Sequence, residues 1–183
     1  GRGNLGVSAR RLGVSEYHTP AGGCNLTNPS FMPKLRDFLA HYPDSALTDA
    51  RALNVGRHLR ISPDLKLIVA RNESEGRELE ALHDSSEPVE MPRSVYIPDG
   101  FDGPTVLVCG PVGAEEEELI GGIILRYSRR QNPPEPGGFP LRVVCSGHTR
   151  RVFARNASPP DVVRRFLIAD LTSSTRPCRD EVE

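Results

Sequence analysis

HLRISPDLKLIVARNESEGRELEAL, residues 58–82, sets the reading of the whole chain. Leu59, Ile61, Leu65, Leu67, Ile68 and Val69 flank a Ser62-Pro63-Asp64 turn, the pattern of a β-hairpin or two short strands. A helix should follow. Asn72 stands where an N-cap would, Glu73 and Glu75 put negative charge in the first turn, and Leu79 and Leu82 share one face at a spacing of three. Ala70-Arg71-Asn72-Glu73 is therefore a sharp strand-to-helix junction. Two readings stay open for Arg71 and Asn72. The unpaired N–H groups of a first helical turn can hold a phosphate, or the pair can simply make a capped, solvated turn.

Downstream, Glu87 to Pro98 carries short extended segments, and the apolar run Pro104 to Cys109 suits an interior strand. Glu115 to Glu118 lead into a helix marked by Leu119, Ile120, Ile123, Ile124 and Tyr127, its acidic first turn matched to its dipole. Leu141 to Cys145 and Arg151 to Ala154 read as strands around a Ser146-Gly147 turn. Upstream, Phe31, Leu35, Phe38 and Leu39 predict an amphipathic helix over 31–41, and a second short helix runs from Thr48 or Asp49 to Val55, stopped by Gly56. A further short helix is expected over Leu5 to Leu12, and the tail from Thr172 to Glu183 has no apolar periodicity and reads as disordered.

Composition bounds the possibilities. A chain of 183 residues with 37% hydrophobic and 26% charged residues is globular and can bury a core, while 17 Gly and 17 Pro demand many turns. The formal net charge of -1 argues neither for nor against a polyanionic partner, so the distribution of charge must decide. No apolar run approaches a membrane span and no secretory signal core is present, which makes the cytoplasm the expected compartment. Cys24, Cys109, Cys145 and Cys178 lie far apart, without the close spacing of a zinc site, so no metal is expected. Cys109 and Cys145, inside strand-like runs, are expected to be buried core residues. Gly1 to Gly6 spells G-x-G-x-x-G without a strand before it, and the dinucleotide reading fails that context test.

Arginine dominates later in the chain. Arg126, Arg129, Arg130, Arg142, Arg150, Arg151, Arg155, Arg164 and Arg165 face only Glu135 and Asp161 between Gly121 and Ile168. If the helix end at Arg126 to Arg130 lies beside the following hairpin, Arg126, Arg129, Arg130, Arg150 and Arg151 form one phosphate-binding patch. Scattered surface charge is the alternative.

Residues 58–82, then Pro104-Thr-Val-Leu-Val-Cys-Gly-Pro111, then the helix end Leu125-Arg-Tyr-Ser-Arg-Arg130 resemble the NFACT-type RNA-binding domain. Ala70 stands where the ribosome quality-control members of that family have glycine, and their Trp and His signature is missing. The chain is more similar to the variant at the C-terminus of bacterial PP-loop tRNA thiouridylase-like proteins. Pro20-Ala21-Gly22-Gly23-Cys24, Leu26-Thr27-Asn28-Pro29 and Leu35-Arg36-Asp37 resemble the region joining the PP-loop domain to that module. The resemblance implies an α/β module, a mixed sheet with flanking helices over residues 57–170, preceded by a helical linker at 1–56 and followed by a tail at 171–183.

It also implies that the module binds RNA, with tRNA as the partner, and that ATP belongs to a PP-loop domain upstream or on another chain, because the Ser-Gly-Gly motif of such enzymes is absent. Arg71, Asn72, Arg126, Arg129, Arg130, Arg150 and Arg151 are the RNA-contact candidates. A rival reading makes Cys24 a sulfur carrier fed by a cysteine desulfurase, with His18 the nearest titratable neighbour. A second rival is a protein-docking module that presents a strand edge.

Overall fold

The computed structural model describes residues 30–41, 49–84, 92–129 and 132–168. The organising stretch folds as its pattern requires. Strands β1 (Arg57–Ser62) and β2 (Leu65–Val69) pair antiparallel, with Leu59 opposite Leu67 and Arg57 opposite Val69. Gly56 opens this hairpin at φ +67°, where a Cβ would sit 2.6 Å from the Val69 carbonyl oxygen, so a side chain is excluded both by conformation and by space.

Four more strands complete one sheet: β3 (Arg93–Pro98), β4 (Val106–Cys109), β5 (Phe139–Cys145) and β6 (His148–Ala154). Their order is β1-β2-β4-β3-β5-β6, and every adjacent pairing is antiparallel. The strands alternate with helices α1 (Phe31–His41), α2 (Glu73–Asp84), α3 (Ala114–Tyr127) and α4 (Pro160–Phe166), so the α/β expectation stands. The expected hairpin turn is present too. Ser146 at φ 47° and Gly147 at φ 78° supply the two left-handed residues of a tight two-residue turn between β5 and β6.

The order of the strands explains the layers. Helix α2 carries the chain from β2 to β3 past β4, and α3 carries it from β4 to β5 past β3. Both crossovers advance the same way across the sheet, but they start from strands of opposite direction. Right-handed crossovers must then lie on opposite faces, and the packing agrees. Ile120, Ile123 and Ile124 of α3 and Val163 of α4 cover Leu59, Leu67, Val69, Val108, Leu141 and Val143 on one face. Leu79 of α2 packs with Val55, Ile68, Ala70 and Leu107 on the other. Leu79 is fully buried, which anchors α2 with about 1.5–3 kcal/mol of hydrophobic stabilisation.

Helix α1 joins the face that α2 occupies, through charge more than through apolar contact. Asp37 accepts from Arg60 Nε at 2.9 Å and Nη2 at 2.8 Å, and from Lys66 Nζ at 2.9 Å. Lys34 donates to the carbonyls of Gly56 at 2.9 Å and Leu53 at 3.3 Å. The short helix expected before Gly56 is a 3-10 helix, Asp49–Asn54.

Some expectations need correction. Cys109 and Cys145 are half-buried, because each is the last residue of its strand at the margin of the sheet. Helix α4 was not anticipated; its signal is the Pro at its start and the acidic Asp161 in its first turn. The helix expected over Leu5 to Leu12, the loop carrying His18 and Cys24, and the tail with Cys178 lie outside the described residues.

Candidate nucleic-acid interface

A cavity of about 820 Å³ opens at the end of the sheet where β2 gives way to α2. One wall is the junction itself, Arg71 and Asn72, with Glu73, Gly76, Arg77 and Glu80 of α2. The facing wall is the end of α3, Tyr127 and Arg129, with the Asp102–Thr105 loop, and Arg57 at the start of β1 completes the ring. Ala70, Gly76, Gly103, Pro104 and Thr105 contribute small residues to its lining. The size falls within the range of about 300–1,000 Å³ usual for ligand clefts.

The junction is capped in the way its sequence predicts. Asn72 Oδ1 accepts the Glu75 backbone N–H at 2.9 Å, which satisfies one of the orphan donors of α2. Glu75 reaches back to the Arg71 backbone N–H at 2.7 Å, and its carboxylate also takes the Arg71 guanidinium through Nε at 2.9 Å. Burial pushes the Glu75 carboxyl up, but these Arg71 contacts outweigh it and hold the group below the usual carboxylate range; the Arg71 guanidinium moves up in turn, through its bond to Glu75. Asn72 thus acts as a cap, while Arg71 stays exposed on the cavity wall.

The other arginines of the cavity are held more loosely. Arg77 pairs with Glu73 at 2.5 Å, both side chains more than three-quarters exposed, and Arg129 Nε lies 3.2 Å from Asp102. Exposed pairs of this kind contribute little, about 0–1 kcal/mol, so a phosphate can compete for the guanidinium at small cost. Arg57 differs from these three. Its guanidinium carbon lies 4.9 Å from the centroid of the Tyr127 ring.

The arginines expected to form one patch are divided by the strand they occupy. Successive side chains of a strand point to opposite faces, and Arg150 and Arg151 are successive residues of β6. Arg150 binds Glu117 of α3 on the helix-covered face, and Tyr96 donates to the same carboxylate at 3.2 Å. Arg151 binds Glu135 and Asp99 on the other face and lies over Phe153. Neither reaches the cavity. Arg126 is exposed one residue before Tyr127 but does not line the space, and Arg130 lies outside the described residues. Of the candidates read from the sequence, Arg71, Asn72 and Arg129 come together. Arg57, Arg77 and Tyr127 join them without having been singled out. The register of the hairpin held the missing signal: Arg57 pairs with Val69, so it must stand beside the strand end that leads to Arg71.

Comparison with known proteins finds one family over this part of the chain. The family described as the NFACT protein RNA binding domain matches residues 56–135, which supports RNA binding as a general function. A solved structure, the C-terminal part of the fibronectin/fibrinogen-binding protein from Streptococcus suis, is similar at 10% identity with a TM-score of 0.44, covering 75% of this chain and 66% of that one. No curated protein matches the sequence. Among the described residues no helix is long and apolar enough to cross a membrane.

Proposed function

We propose, from the premise that residues 56–135 carry an NFACT-type RNA binding domain, that the cavity between the β2–α2 junction and the end of α3 is where the RNA backbone is held. One observation carries this reading: among the described residues, every one that lines the cavity, from Arg57 to Arg129, falls inside the matched segment. Arg71, Arg77 and Arg129 supply the phosphate contacts, each exchanging its carboxylate partner for a charge-assisted bond to phosphate.

The test is RNA binding by the full chain as a function of salt, for the unaltered protein and for a variant carrying Arg71→Gln, Arg77→Gln and Arg129→Gln. Each lost phosphate contact lowers the slope of log affinity against log salt by about 0.7 to 0.9, so the variant should lose about two units. A thermal melt in parallel excludes unfolding. A folded variant with unchanged affinity and slope removes the cavity from RNA binding, and failure of the unaltered protein to bind any RNA at low salt overturns the RNA reading.

We infer further that the RNA is tRNA and the setting a cytoplasmic thiolation system, on the resemblance of the Pro20 to Asp37 stretch to the linker of PP-loop thiouridylase-like proteins. In that setting ATP is consumed by a PP-loop domain upstream or in trans. The rival reading makes Cys24 a sulfur carrier fed by a cysteine desulfurase. Unmodified tRNA should then compete better than an unrelated RNA of equal length, and equal competition removes the tRNA assignment.

A further inference from the structure

We infer that the cavity takes an unpaired nucleotide of RNA, with its base laid against the Arg57–Tyr127 pair and its phosphates on the surrounding arginines. The inference rests on the RNA-binding reading and names the form of RNA that the site accepts. Arg57 is the point of departure. The other three cavity arginines each hold a carboxylate, Glu75, Glu73 or Asp102, whereas among the described residues none lies within ion-pair reach of Arg57.

A guanidinium resting on an aromatic ring instead of a carboxylate keeps its donors and its flat surface available. Planar guanidinium groups and aromatic rings are the surfaces on which splayed RNA bases stack. Arg57 is also held in place. It follows Gly56, whose backbone is fixed at φ +67°, and it pairs with Val69 in the hairpin register. Tyr127 packs against the main core cluster. The platform is therefore built into the sheet and not carried on a loop, so little ordering is needed when a base arrives.

The shape of the site selects against duplex RNA. A paired base is covered above and below by its neighbours and cannot offer a face to a group at the edge of a cavity, and A-form RNA is contacted mostly across its minor groove and phosphates. A single strand can turn one base inward. The cavity, of about 820 Å³, has room for it. The rim then divides the work: Arg71, Arg77 and Arg129 meet phosphates, and Arg57 with Tyr127 meets a base.

The experiment measures binding of the full chain to a single-stranded RNA and to the duplex of the same sequence, with 2-aminopurine in the single strand as a stacking probe. The single strand should bind at least about tenfold more tightly, and the probe should be quenched on binding, as expected for a base stacked on a planar side chain. Arg57→Lys keeps the charge and removes the plane. It should weaken single-strand binding about tenfold and abolish the quench, with duplex binding and the salt slope unchanged. Tyr127→Leu removes the ring that supports the guanidinium and should weaken single-strand binding and the quench in the same direction, with a thermal melt confirming the fold. Equal binding of the two RNAs, with Arg57→Lys altering neither, overturns the nucleotide site and leaves RNA binding standing. An equal loss for both RNAs in Arg57→Lys makes Arg57 a phosphate contact and overturns the stacking assignment. If neither RNA binds at low salt, the RNA reading fails and this inference with it.

Discussion

Two groups of cations stand on either side of Gly56, and they behave in opposite ways. Lys34, Arg60 and Lys66 are folded inward beneath α1, where Asp37 accepts from both Arg60 and Lys66, and Lys34 is spent on the carbonyls of Leu53 and Gly56. Arg57, Arg71, Arg77 and Arg129 surround an open cavity, where carboxylates hold three of them and Tyr127 holds the fourth. Burial lowers the Lys66 ammonium and, with the nearby Arg71 charge, pushes Lys34 down to about 8. The inner group is buried and paired within the fold. Positive charge alone does not mark a binding site; accessible charge with exchangeable partners does.

The sharpest way to break the comparison is to remove the centre of the inner group. Asp37, Lys66 and Arg60 have side chains only 10%, 4% and 14% exposed, so Asp37→Ala removes the carboxylate that accepts from both of these desolvated cations. Losing one partner of a buried pair costs about 3–5 kcal/mol, and denaturant unfolding should register a loss of that order. RNA affinity of the protein that remains folded should not change. If Asp37→Ala proves harmless to stability yet weakens RNA binding, the two groups have been assigned the wrong way round.

His58 sharpens the same contrast through pH. Its Nε2 faces the carbonyls of Val55 at 2.9 Å and Ala52 at 3.1 Å, which only accept, so the proton must sit on Nε2. Nδ1 is then a bare acceptor, buried and without a partner. Burial, followed by the charges of Lys66 and Lys34, pushes the imidazole down to about 3. The unfolded chain therefore binds a proton below about pH 6.5 that the folded one refuses. Stability should fall as pH drops from 6.5 toward 3, by up to about 1.4 kcal/mol per pH unit. Asp37, held down to about 2 because its bonds to Arg60 and Lys66 outweigh its burial, adds its own loss only below about pH 4. His58→Gln retains a donor for the two carbonyls but cannot take up the proton, so its stability should be flatter between pH 6.5 and 5. An unchanged slope there would assign the acid sensitivity to another group.

The elements were legible because they are encoded locally. The hairpin around Pro63, the cap at Asn72 and the helix over 31–41 each follow from periodicity and turn chemistry within a dozen residues. The density of arginine after Gly121 pointed to a different surface from the cavity for a physical reason: a strand sends Arg150 and Arg151 to opposite faces, where each meets its own carboxylates. The cavity gathers residues more than seventy positions apart, from Arg57 to Arg129, through a crossover order that no local pattern encodes. The inner group was hidden for the same reason. No local pattern joins Asp37 to Lys66, and only the docking of α1 on the sheet makes them a buried pair.

The smallest effects are expected at the junction where the two groups come closest. The Glu75 carboxylate takes a bond from the Gly56 backbone as well as from Arg71, and Gly56 also binds Lys34, so only Glu75 and Gly56 stand between Arg71 and the inner group, while Arg71 faces the outer cavity. Its neighbour Asn72 contributes a single cap bond. Asn72→Ala should therefore cost about 1 kcal/mol of stability and leave RNA affinity alone, as a lost N-cap does. Arg71→Ala should do the reverse. Without the guanidinium, Glu75 still accepts from the Arg71 and Gly56 backbone N–H groups, so the melting temperature should move little. RNA binding should weaken across many sequences alike, and the salt slope should fall by about 0.7 to 0.9. Adjacent residues would then separate stability from binding within a single turn of chain. If Arg71→Ala destabilises the protein while its RNA affinity and salt slope stay fixed, Arg71 serves the Glu75 cap alone and the open group loses that member.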